Sequence, residues 1–488
     1  MSGFTDQTRP QVPGSTRYET IVLSVVLLGV TMTGIDTTAV VLAIPVMKQD
    51  LSSNIISMIW VIMAYLLVIT VFGTQVGRLG DLYGRVRVYN IGFGIFTLGS
   101  LFCGLAQGGS ELVAFRVIQG LGGAMVFSNS GAIIADTISE KKRGRAYGIT
   151  GIGWSAGAVL GILIGGAVIT FLGWRYIFFI NIPVGVCAVV MCYKVLREKS
   201  ERVKAKIDYL GMALFGSGLF FLLYALTNIA GSGASSSGFE ALLLGVILIF
   251  IFTVWQMRYS APLLNLSIFR QKVLTASILA SFFQGLAGFS VLFLVIMYLQ
   301  GVRNLTPLDA SLLLVPGYVF GAVISPFAGK ASDKLGARYV ASIGLALEAV
   351  GIFIYSTLTL GSPLFVVIIG SVVAGLGTSS FFPANNSAVM ANAPRQYYGI
   401  ASGLLRTFGN VGMVASFALA VVVASLAIPR NLAIAIFLGT GRLDSSLATA
   451  FIGGMHTALY ASIGIVAVAT VLSVLRGKEA RTVDNRNS

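Results

Sequence analysis

Fourteen apolar stretches, each of about 17 residues or more, dominate this sequence. A helix of that length crosses the hydrocarbon core of a bilayer, and it satisfies its own backbone hydrogen bonds in a solvent that offers none. The sequence therefore predicts an all-α polytopic membrane protein. Predicted crossings 1 to 14 span 21–45, 57–76, 88–107, 112–133, 148–170, 177–193, 209–229, 241–257, 274–300, 310–328, 339–360, 363–388, 400–428 and 452–475.

Composition excludes the main alternative classes. Charged residues make up 10% of the chain, whereas a soluble protein carries about a quarter. A soluble globular enzyme, a disordered chain and a coiled coil are incompatible with that value. The three cysteines lie in apolar stretches and there is one histidine, so the sequence predicts no disulfide framework, no metal site and no cofactor.

The distribution of basic residues sets the predicted orientation. With the N-terminus inside, 26 of the 33 Lys and Arg lie in inner segments and 5 in outer ones, while Arg116 and Arg406 lie within crossings. Because basic residues favour the cytoplasmic side, we predict that both termini are cytoplasmic and that the number of crossings is even. The net charge of +15 is then a topology signal and an attraction to anionic lipid, with no nucleic-acid partner.

An internal repeat divides the chain. The pattern Gly-x-x-x-Asp-x-x-Gly occurs at 77–84 and recurs with identical spacing at 329–336, each time on an inner loop. Parallel repeats of six helices are an architecture of secondary transporters. The repeated residues are Gly77, Asp81, Gly84, Gly329, Asp333 and Gly336.

The repeat predicts two related six-helix halves with two inserted helices, crossings 7 and 8, between them. The predicted divisions are a cytoplasmic tail at 1–20, an N-terminal half at 21–200, a linker and helix pair at 201–272, a C-terminal half at 273–476 and a second tail at 477–488. Between crossings 13 and 14, the apolar run 432–438 is too short to cross, so 430–450 is predicted to be an outer loop.

Asp36 is a carboxyl placed well inside crossing 1. It lies about 13 Å from an outer end placed at Pro45, at 1.5 Å per residue. Thr33, Asp36 and Thr37 share one helical face. Intramembrane carboxyls are expensive and usually functional, and such a group can carry a proton between the two sides or exchange it for a cation. A structural Asp, hydrogen-bonded to neighbouring helices, is the alternative.

Crossing 4 carries the deep basic residue of the first half. Arg116 begins a polar seam that continues through Gln119, and it lies about 8 Å from the outer end at Glu111. Asp36 and Arg116 are therefore predicted to lie in the same outer half of the membrane. If they pair, substrate or proton could switch Asp36 between a paired and an unpaired state. A static ion pair between the helices is the alternative.

Two other crossings carry notable residues. Glu348 lies inside crossing 11, but its helical neighbours form no polar face, so we expect it to be solvated or paired with another helix. Crossing 5 carries a glycine stripe, and small residues at four-residue spacing allow helix backbones to approach closely. The stripe consists of Gly148, Gly157, Gly161, Gly165 and Gly166.

Aromatic and amide side chains, with the polar face of crossing 1, are candidates for lining a substrate pocket, and simple packing or lipid contact is the alternative for each. The candidates are Thr33, Thr37, Gln119, Gln284, Phe289, Tyr298 and Asn385. The sequence contains no phosphate loop, zinc-protease motif or nucleophile elbow, so it predicts neither an ATPase nor another enzyme.

These motifs resemble those of a known transporter family. The segment 77–87 resembles motif A of the major facilitator superfamily, and 112–120 resembles its motif B. Residues 35–45 resemble the crossing-1 motif of its fourteen-helix drug:proton antiporter family, and 174–185 resemble that family's stretch between crossings 5 and 6. The resemblance implies the major facilitator fold and alternating access between the two halves.

The resemblance also implies roles for single residues. Motif A, with Gly77, Gly84, Arg85 and Arg87, would clamp the halves on the cytoplasmic side. Within it, Asp81 would face Arg406 at the start of crossing 13, with an ordinary turn or cap residue as the alternative for Asp81. Asp36 would recognise a cation or proton, and Arg116 would belong to the proton pathway.

One position departs from the family pattern. Motif C of the antiporters reads Gly-Pro, whereas Gly161 is followed here by Ile162. The glycine stripe is intact, but the missing proline removes the expected bend in crossing 5. It also removes this motif as an argument for export.

The resulting prediction is a monomer in the cell membrane that exports amphipathic, cationic small molecules in exchange for protons. Its partners would be the substrate, protons and the lipid bilayer, without an ATPase subunit. A proton-coupled importer and an exporter of one specific metabolite are the alternatives on the same fold. A non-transporting receptor or membrane-embedded enzyme is the alternative of a different class.

Overall fold

The structure, a computed structural model, describes residues 16–138, 140–198, 206–232, 235–264, 269, 271–392, 398–437 and 445–477. Within these ranges the chain forms sixteen α-helices and a π-helical segment, Met297–Val302, that continues α10. The helices are α1 Thr16–Asp50, α2 Ile55–Tyr83, α3 Arg85–Leu105, α4 Gly109–Thr137, α5 Glu140–Phe171, α6 Tyr176–Phe179, α7 Asn181–Val195, α8 Tyr209–Ser232, α9 Ser236–Arg258, α10 Lys272–Ile296, α11 Pro307–Leu335, α12 Ala337–Tyr355, α13 Phe365–Asn392, α14 Tyr398–Leu426, α15 Arg430–Phe437 and α16 Ser445–Leu475.

Fourteen helical segments of the described chain are long and apolar enough to cross a membrane, which confirms the predicted count. Crossing 6 is built from α6 and α7, and α15 does not cross. An even number of crossings puts both chain ends on one side, which the basic residues mark as cytoplasmic. The predicted tails at 1–20 and 477–488 lie almost entirely outside the described residues.

Two local predictions were wrong. Helix α1 continues past Pro45 to Asp50, because packing by neighbouring helices lets a membrane helix tolerate an internal proline. Asp36 is therefore about 21 Å from the outer end at 1.5 Å per residue, deeper than predicted. The loop predicted at 430–450 contains α15, whose Ala433 and Ile436 are buried against neighbouring helices. This run is too short to cross, but it is amphipathic and long enough for two turns.

The repeated glycine pattern folds into the same turn in both copies. Gly84 links α2 to α3 with φ of 104°, and Gly336 links α11 to α12 with φ of 99°. Each donates its backbone N–H to a carbonyl one turn earlier, Gly80 or Ser332, at 2.9 Å. Because side chains rarely adopt such φ values, glycine at these positions is required by the backbone.

Helices from the same part of the sequence pack together. In the first part, α1 lies against α5, and α4 lies between α2 and α3. In the second part, α13 packs against α11 and α12, and α10 packs against α14 and α16. This packing fits the proposed division into halves at 21–200 and 273–476.

Contacts between the two parts occur on both sides of the membrane. On the outer side, Gln300 Nε2 donates to the carbonyl of Leu42 at 2.9 Å, and the backbone N–H of Leu308 donates to the Thr170 hydroxyl at 3.1 Å. Toward the cytoplasmic side, α2 lies against α14, and Val71 shares an apolar cluster with Leu404 and Leu405.

The inserted helices α8 and α9 are held at their cytoplasmic ends by Arg78 of α2. Its guanidinium donates to three backbone carbonyls, those of Lys206, Ala261 and Pro262, at 2.7 to 2.9 Å. Lys206 precedes α8, whereas the other two residues follow α9. One side chain of the first part therefore fixes both ends of the insertion.

Asp208, two residues after Lys206, joins α8 to α9. Its carboxylate accepts hydrogen bonds from Trp255 Nε1 at 2.8 Å and Gln256 Nε2 at 2.7 Å, both on α9. The same carboxylate accepts the backbone N–H of Gly211 in the first turn of α8 at 2.8 Å. Asp208 thus caps one inserted helix and binds the other.

Candidate functional site

A buried ion pair lies at the centre of the first part of the chain. Asp36 on α1 and Arg116 on α4 are each 1% exposed, and Arg116 Nη1 lies 2.7 Å from Asp36 Oδ2. The structure therefore brings together the two charged residues that the sequence placed at similar depth. A pair of this kind is stable only if hydrogen bonds satisfy the remaining polar atoms.

Amide side chains provide those hydrogen bonds. Gln119 Nε2 donates to Asp36 Oδ1 at 2.8 Å, and Asn181 Nδ2 lies 3.4 Å from the same oxygen. Both amides also lie within hydrogen-bond distance of the Ser100 hydroxyl, at 2.7 and 3.3 Å. The carboxylate is therefore surrounded by donors from α4 and α7 as well as by the guanidinium.

Arg116 is held from several directions. Its Nε donates to the carbonyl of Val61 at 3.0 Å, and its Nη1 also donates to Gln119 Oε1 at 2.6 Å. The guanidinium lies 4.1 Å from the centroid of the Tyr65 ring and 5.8 Å from that of Phe178. Cation–π contact stabilises a guanidinium that has left water.

The Tyr65 hydroxyl is the polar group of this site left without a hydrogen bond. It is buried, and none of the residues that the structure describes accepts from it or donates to it. Sequence reasoning missed Tyr65 and Ser100, because one polar residue in an apolar run does not reveal which side of the helix faces the partner. We refer below to Asp36, Arg116, Gln119, Asn181, Ser100 and Tyr65 as the Asp36 cluster.

The threonines beside Asp36 are satisfied by their own helix. Thr33 Oγ1 donates to the carbonyl of Val30 at 2.8 Å, and Thr37 Oγ1 donates to that of Thr33 at 2.9 Å. Both side chains are buried. Their hydroxyls keep an acceptor lone pair for a further partner.

The glycine stripe of α5 packs against α1, the helix that carries Asp36. A Cβ added at Gly157 would lie 2.5 Å from the carbonyl oxygen of Thr31, and one at Gly161 would lie 2.6 Å from that of Ile35. Gly165 faces the Cβ of Ala39 on α1, while Gly166 faces Ser311 and Pro307 of α11. Gly148 lies in α5, outside the residues whose side-chain surroundings are described. Gly157, Gly161 and Gly165 thus set the distance between α5 and α1.

Motif A forms a charge network on the cytoplasmic side. Arg85 donates from Nε and Nη2 to Asp81 Oδ1 at 2.9 and 2.8 Å, and from Nη1 to Asp136 Oδ1 at 2.6 Å. Arg406 lies over the ring of Phe127, with 4.9 Å from its Cζ to the ring centroid. The structure thus pairs Asp81 with Arg85 and brings Arg406 to α4, and the Asp81–Arg406 latch stays a prediction.

Glu198, at the end of crossing 6, caps helix α3, which begins within motif A. Its carboxylate accepts the backbone N–H groups of Arg85 and Val86 at 3.1 Å and that of Arg87 at 3.4 Å. These are unsatisfied donors in the first turn of α3. A Cβ at Gly84 would lie 2.5 Å from Glu198 Oε2, whereas Gly77 has open space around it. Sequence reasoning missed Glu198, which lies more than one hundred residues from the helix that it caps.

The second copy of motif A is described in part. Gly336 forms the turn given above, and Gly329 has open space at its Cβ position. Asp333 lies in α11, outside the residues whose side chains are described.

The candidate lining residues of the second part lie at separate places. Tyr298 donates its hydroxyl to the carbonyl of Thr359 at 2.7 Å near the outer side. Asn385 donates to the carbonyl of Ser277 at 3.0 Å near the cytoplasmic side. Phe289 is half-buried against the apolar core. Gln284 instead contacts a carboxyl, that of Glu348 on α12, at 3.0 Å.

Glu348 is not solvated, since it is 2% exposed. The alternative of a partner on another helix holds, and Gln284 of α10 is that partner. The absence of a polar face around Glu348 was therefore misleading, because the partner comes from a crossing more than sixty residues away.

Comparison with known proteins identifies the family. The family model of the Major Facilitator Superfamily matches residues 26–416 and also 277–486. The chain belongs to the Major Facilitator Superfamily. It is therefore a multi-pass membrane protein and a secondary transporter, not an enzyme.

Several relatives of this superfamily member carry a named function. It is 30% identical to the riboflavin transporter RibZ of Clostridioides difficile over 82% of this chain and 86% of the relative. It is 30% identical to the multidrug resistance protein Stp of Mycobacterium tuberculosis over 82% of this chain and 75% of the relative. It is 29% identical to the tetracenomycin C resistance and export protein of Streptomyces glaucescens over 80% and 73% of the two chains.

Solved structures confirm the major facilitator fold. A bacterial homolog of the human lysosomal transporter Spinster matches with a TM-score of 0.70 at 18% identity, over 95% of this chain and 97% of that one. A D-xylose–proton symporter matches with a TM-score of 0.62 at 16% identity, over 91% and 97% of the two chains.

Proposed function

We propose that this transporter exports amphipathic, cationic small molecules in exchange for protons, and that Asp36 is its coupling site. The observation that carries the proposal is the ion pair of Asp36 and Arg116, each 1% exposed, in the Asp36 cluster. An ionisable pair at such depth is expensive to keep, and a transport role explains why it is there.

Charge balance favours exchange over joint binding. With Asp36 ionised and Arg116 cationic, the pair has no net charge; adding either one proton or one monovalent cation gives it a charge of +1. Adding both at once would give +2 in a site of low dielectric, where like charges repel strongly. Proton and cationic substrate therefore compete for the same carboxylate, which is the requirement for antiport.

Protonation also changes which helices are held together. The bonds from Arg116 and Gln119 to Asp36 join α1 to α4, and they weaken when the carboxylate becomes neutral. Arg116 keeps its hydrogen bonds to Val61 and Gln119 in that state. Since α1 also touches the second half through Gln300, loosening α1 is a direct way to bias alternating access.

Multidrug export fits the character of the first half's interior. Substrates of loose specificity need apolar walls with few fixed polar partners. The rings of Tyr65 and Phe178 beside Arg116 would form part of such a wall, and because both are buried in this conformation a substrate would reach them only after the helices move. The name of the tetracenomycin C resistance and export protein supports the same direction of transport, and that of the multidrug resistance protein Stp supports a broad range of substrates.

A transporter of one specific metabolite is the second candidate, as importer or exporter. It is favoured by the similarity to a riboflavin transporter and by Ile162 at the position where the antiporter motif has proline.

Proteoliposomes with an imposed pH gradient and an enclosed pH dye distinguish these candidates. We expect a lipophilic cation such as ethidium to collapse the gradient with native protein, and not with Asp36→Asn. Asp309→Asn is the matched control, because Asp309 is an exposed carboxyl in the first turn of α11. Proton movement with riboflavin only would support the second candidate, and no proton movement with any compound would refute proton coupling.

A further inference from the structure

A second buried carboxyl lies in the C-terminal half, outside the Asp36 cluster. Glu348 of α12 is 2% exposed, and Gln284 Nε2 of α10 lies 3.0 and 3.3 Å from its two oxygens. A Cβ at Gly288 would lie 2.7 Å from Glu348 Oε1 and 3.1 Å from Gln284 Nε2, so the carboxyl and the amide both pack against the backbone of this glycine.

The surroundings of Glu348 differ from those of Asp36 in one respect, the lack of a cation. From α10 it is faced by Gln284, and from α13 by the Thr378 hydroxyl. The phenol of Tyr318 on α11 is half-buried, that of Tyr355 on α12 is buried, and His456 of α16 contacts the carbonyl of Leu358. Among the described residues, none with a positive charge forms an ion pair with Glu348.

The hydrogen-bonding pattern fits a protonated acid. Gln284 Oε1 is buried and has no hydrogen-bond partner among the residues that the structure describes. An ionised carboxylate can only accept, so it cannot satisfy this oxygen. A protonated Glu348 has an O–H to donate, and Gln284 Oε1, on the side chain that already contacts this carboxyl, is an acceptor without a partner. The neutral acid also avoids burying an uncompensated charge.

We propose that Glu348 is a second proton-carrying site of this transporter, occupied by a proton in the conformation described here and hydrogen-bonded to Gln284. This proposal rests on the proposed proton antiport and adds a second proton to it. The two halves then hold opposite protonation states, because Asp36 is ionised beside Arg116 whereas Glu348 is neutral beside an amide.

Loss of the Glu348 proton gives this site a way to drive movement. The resulting carboxylate needs water or a cation, and it obtains either only if α10 and α12 separate. Helix α10 is a suitable element for this, because its π-helical continuation carries Gln300, which bonds to Leu42 of α1. Proton release from Glu348 would therefore loosen the outer contact between the two halves.

The protonation state can be tested without transport, by infrared spectroscopy of the purified full-length protein. We expect a carboxylic acid C=O stretching band at neutral pH in native protein, in Asp36→Asn and in the control Glu240→Gln, which alters an exposed carboxyl. Glu348→Gln, which keeps the size of the acid, should lose the band. Gln284→Leu should shift it, because the hydrogen-bond partner is gone. Native protein without the band, or an undiminished band in Glu348→Gln, would overturn the proposal.

Stoichiometry tests the carrying role. In proteoliposomes, the ethidium gradient that balances a fixed pH gradient reports the number of protons exchanged per substrate. Glu348→Gln should lower that number by one, while Glu240→Gln leaves it unchanged; an unchanged number in Glu348→Gln would refute the second site. If native protein shows no proton-coupled flux although the infrared band behaves as expected, the antiport proposal fails and Glu348 is a structural acid.

Discussion

Arg116 Nη1 of α4 lies 2.7 Å from Asp36 Oδ2 of α1, and both side chains are shielded from solvent. Each residue is the other's counter-charge, so neither can be replaced without leaving a charge unpaired. The pair therefore contributes to stability, and in the proposed antiport it is also the switch; the two roles can be separated experimentally.

The first prediction concerns the stability that this ion pair contributes. Arg116→Ala should destabilise the protein by about 3–5 kcal/mol, because it leaves a buried, uncompensated carboxylate. Asp36→Asn should cost less, since the amide still hydrogen-bonds within the cluster, and adding it to Arg116→Ala should recover part of the loss. Thermal unfolding of the purified protein measures all three variants. If Arg116→Ala cost as much stability in the Asp36→Asn background as it does in native protein, the two residues would not be coupled.

The second prediction concerns the glycine stripe. Gly161→Ala should separate α5 from α1, because its Cβ would lie 2.6 Å from the carbonyl oxygen of Ile35. Overpacking of this kind costs about 1–3 kcal/mol. Gly464→Ala is the control: its Cβ has open space inside α16, and alanine is favoured over glycine in a helix by about 0.5–1 kcal/mol. The unfolding temperatures should therefore move in opposite directions, and a stabilising Gly161→Ala would contradict the packing.

The third prediction separates backbone strain from side-chain contact at Gly84. Gly84→Ala should be destabilising for two reasons, the φ of 104° and the approach of its Cβ to Glu198. The strained backbone alone costs about 1–3 kcal/mol. In a Glu198→Ala background the contact is absent, so Gly84→Ala should cost less there. A double-mutant cycle on unfolding temperature measures the difference, and additive effects would assign the whole loss to the backbone.

The fourth prediction concerns the inserted helices. Arg78→Lys should loosen both ends of the insertion, since a lysine ammonium cannot reproduce the fork that reaches Lys206, Ala261 and Pro262. Amide hydrogen exchange in 206–212 and 255–264 should accelerate by about tenfold for each 1.4 kcal/mol lost. Exchange in α16 is the internal reference. Protection unchanged at both ends would show that Asp208 and the apolar contacts hold α8 and α9 without Arg78.

Much of the fold could be predicted from the sequence, because in lipid the apolar length of a segment decides whether it crosses. The fourteen crossings follow from this rule, and helical rise placed Asp36 and Arg116 in the same outer half although α1 extends beyond its predicted end. The repeated pattern at 77–84 and 329–336 predicted two equivalent inner connections, and the structure shows that each ends in a glycine with positive φ. These features depend on one segment at a time.

The remaining features depend on how helices rotate against one another. Gln284 and Glu348 belong to different crossings, and Glu198 caps a helix distant in sequence. Neither pairing leaves a periodic signal along the chain. Helix α15 was missed for a different reason: its run is too short to cross, and a short helix that packs on other helices is revealed by amphipathicity rather than by length.

The last prediction concerns two contacts between the halves, one on each side of the membrane. On the outer side Gln300 bonds to Leu42, and on the cytoplasmic side Arg406 lies over Phe127. Gln300→Ala should favour opening of the outer side by about fivefold, since a hydrogen bond contributes about 1 kcal/mol net. Phe127→Leu should favour opening of the cytoplasmic side by about two- to fivefold, because a cation–π contact contributes about 0.5–1 kcal/mol.

Spin labels at exposed positions of both halves measure the two populations. The outer pair is placed at Leu172 and Leu312, and the cytoplasmic pair at Tyr83 and Tyr339. Because opening one side closes the other in alternating access, each substitution should lengthen one distance and shorten the other, with opposite signs for the two variants. If Gln300→Ala lengthened the outer distance and left the cytoplasmic one unchanged, the two sides would open independently, and proton release at Asp36 or Glu348 could not be coupled to exchange across the membrane.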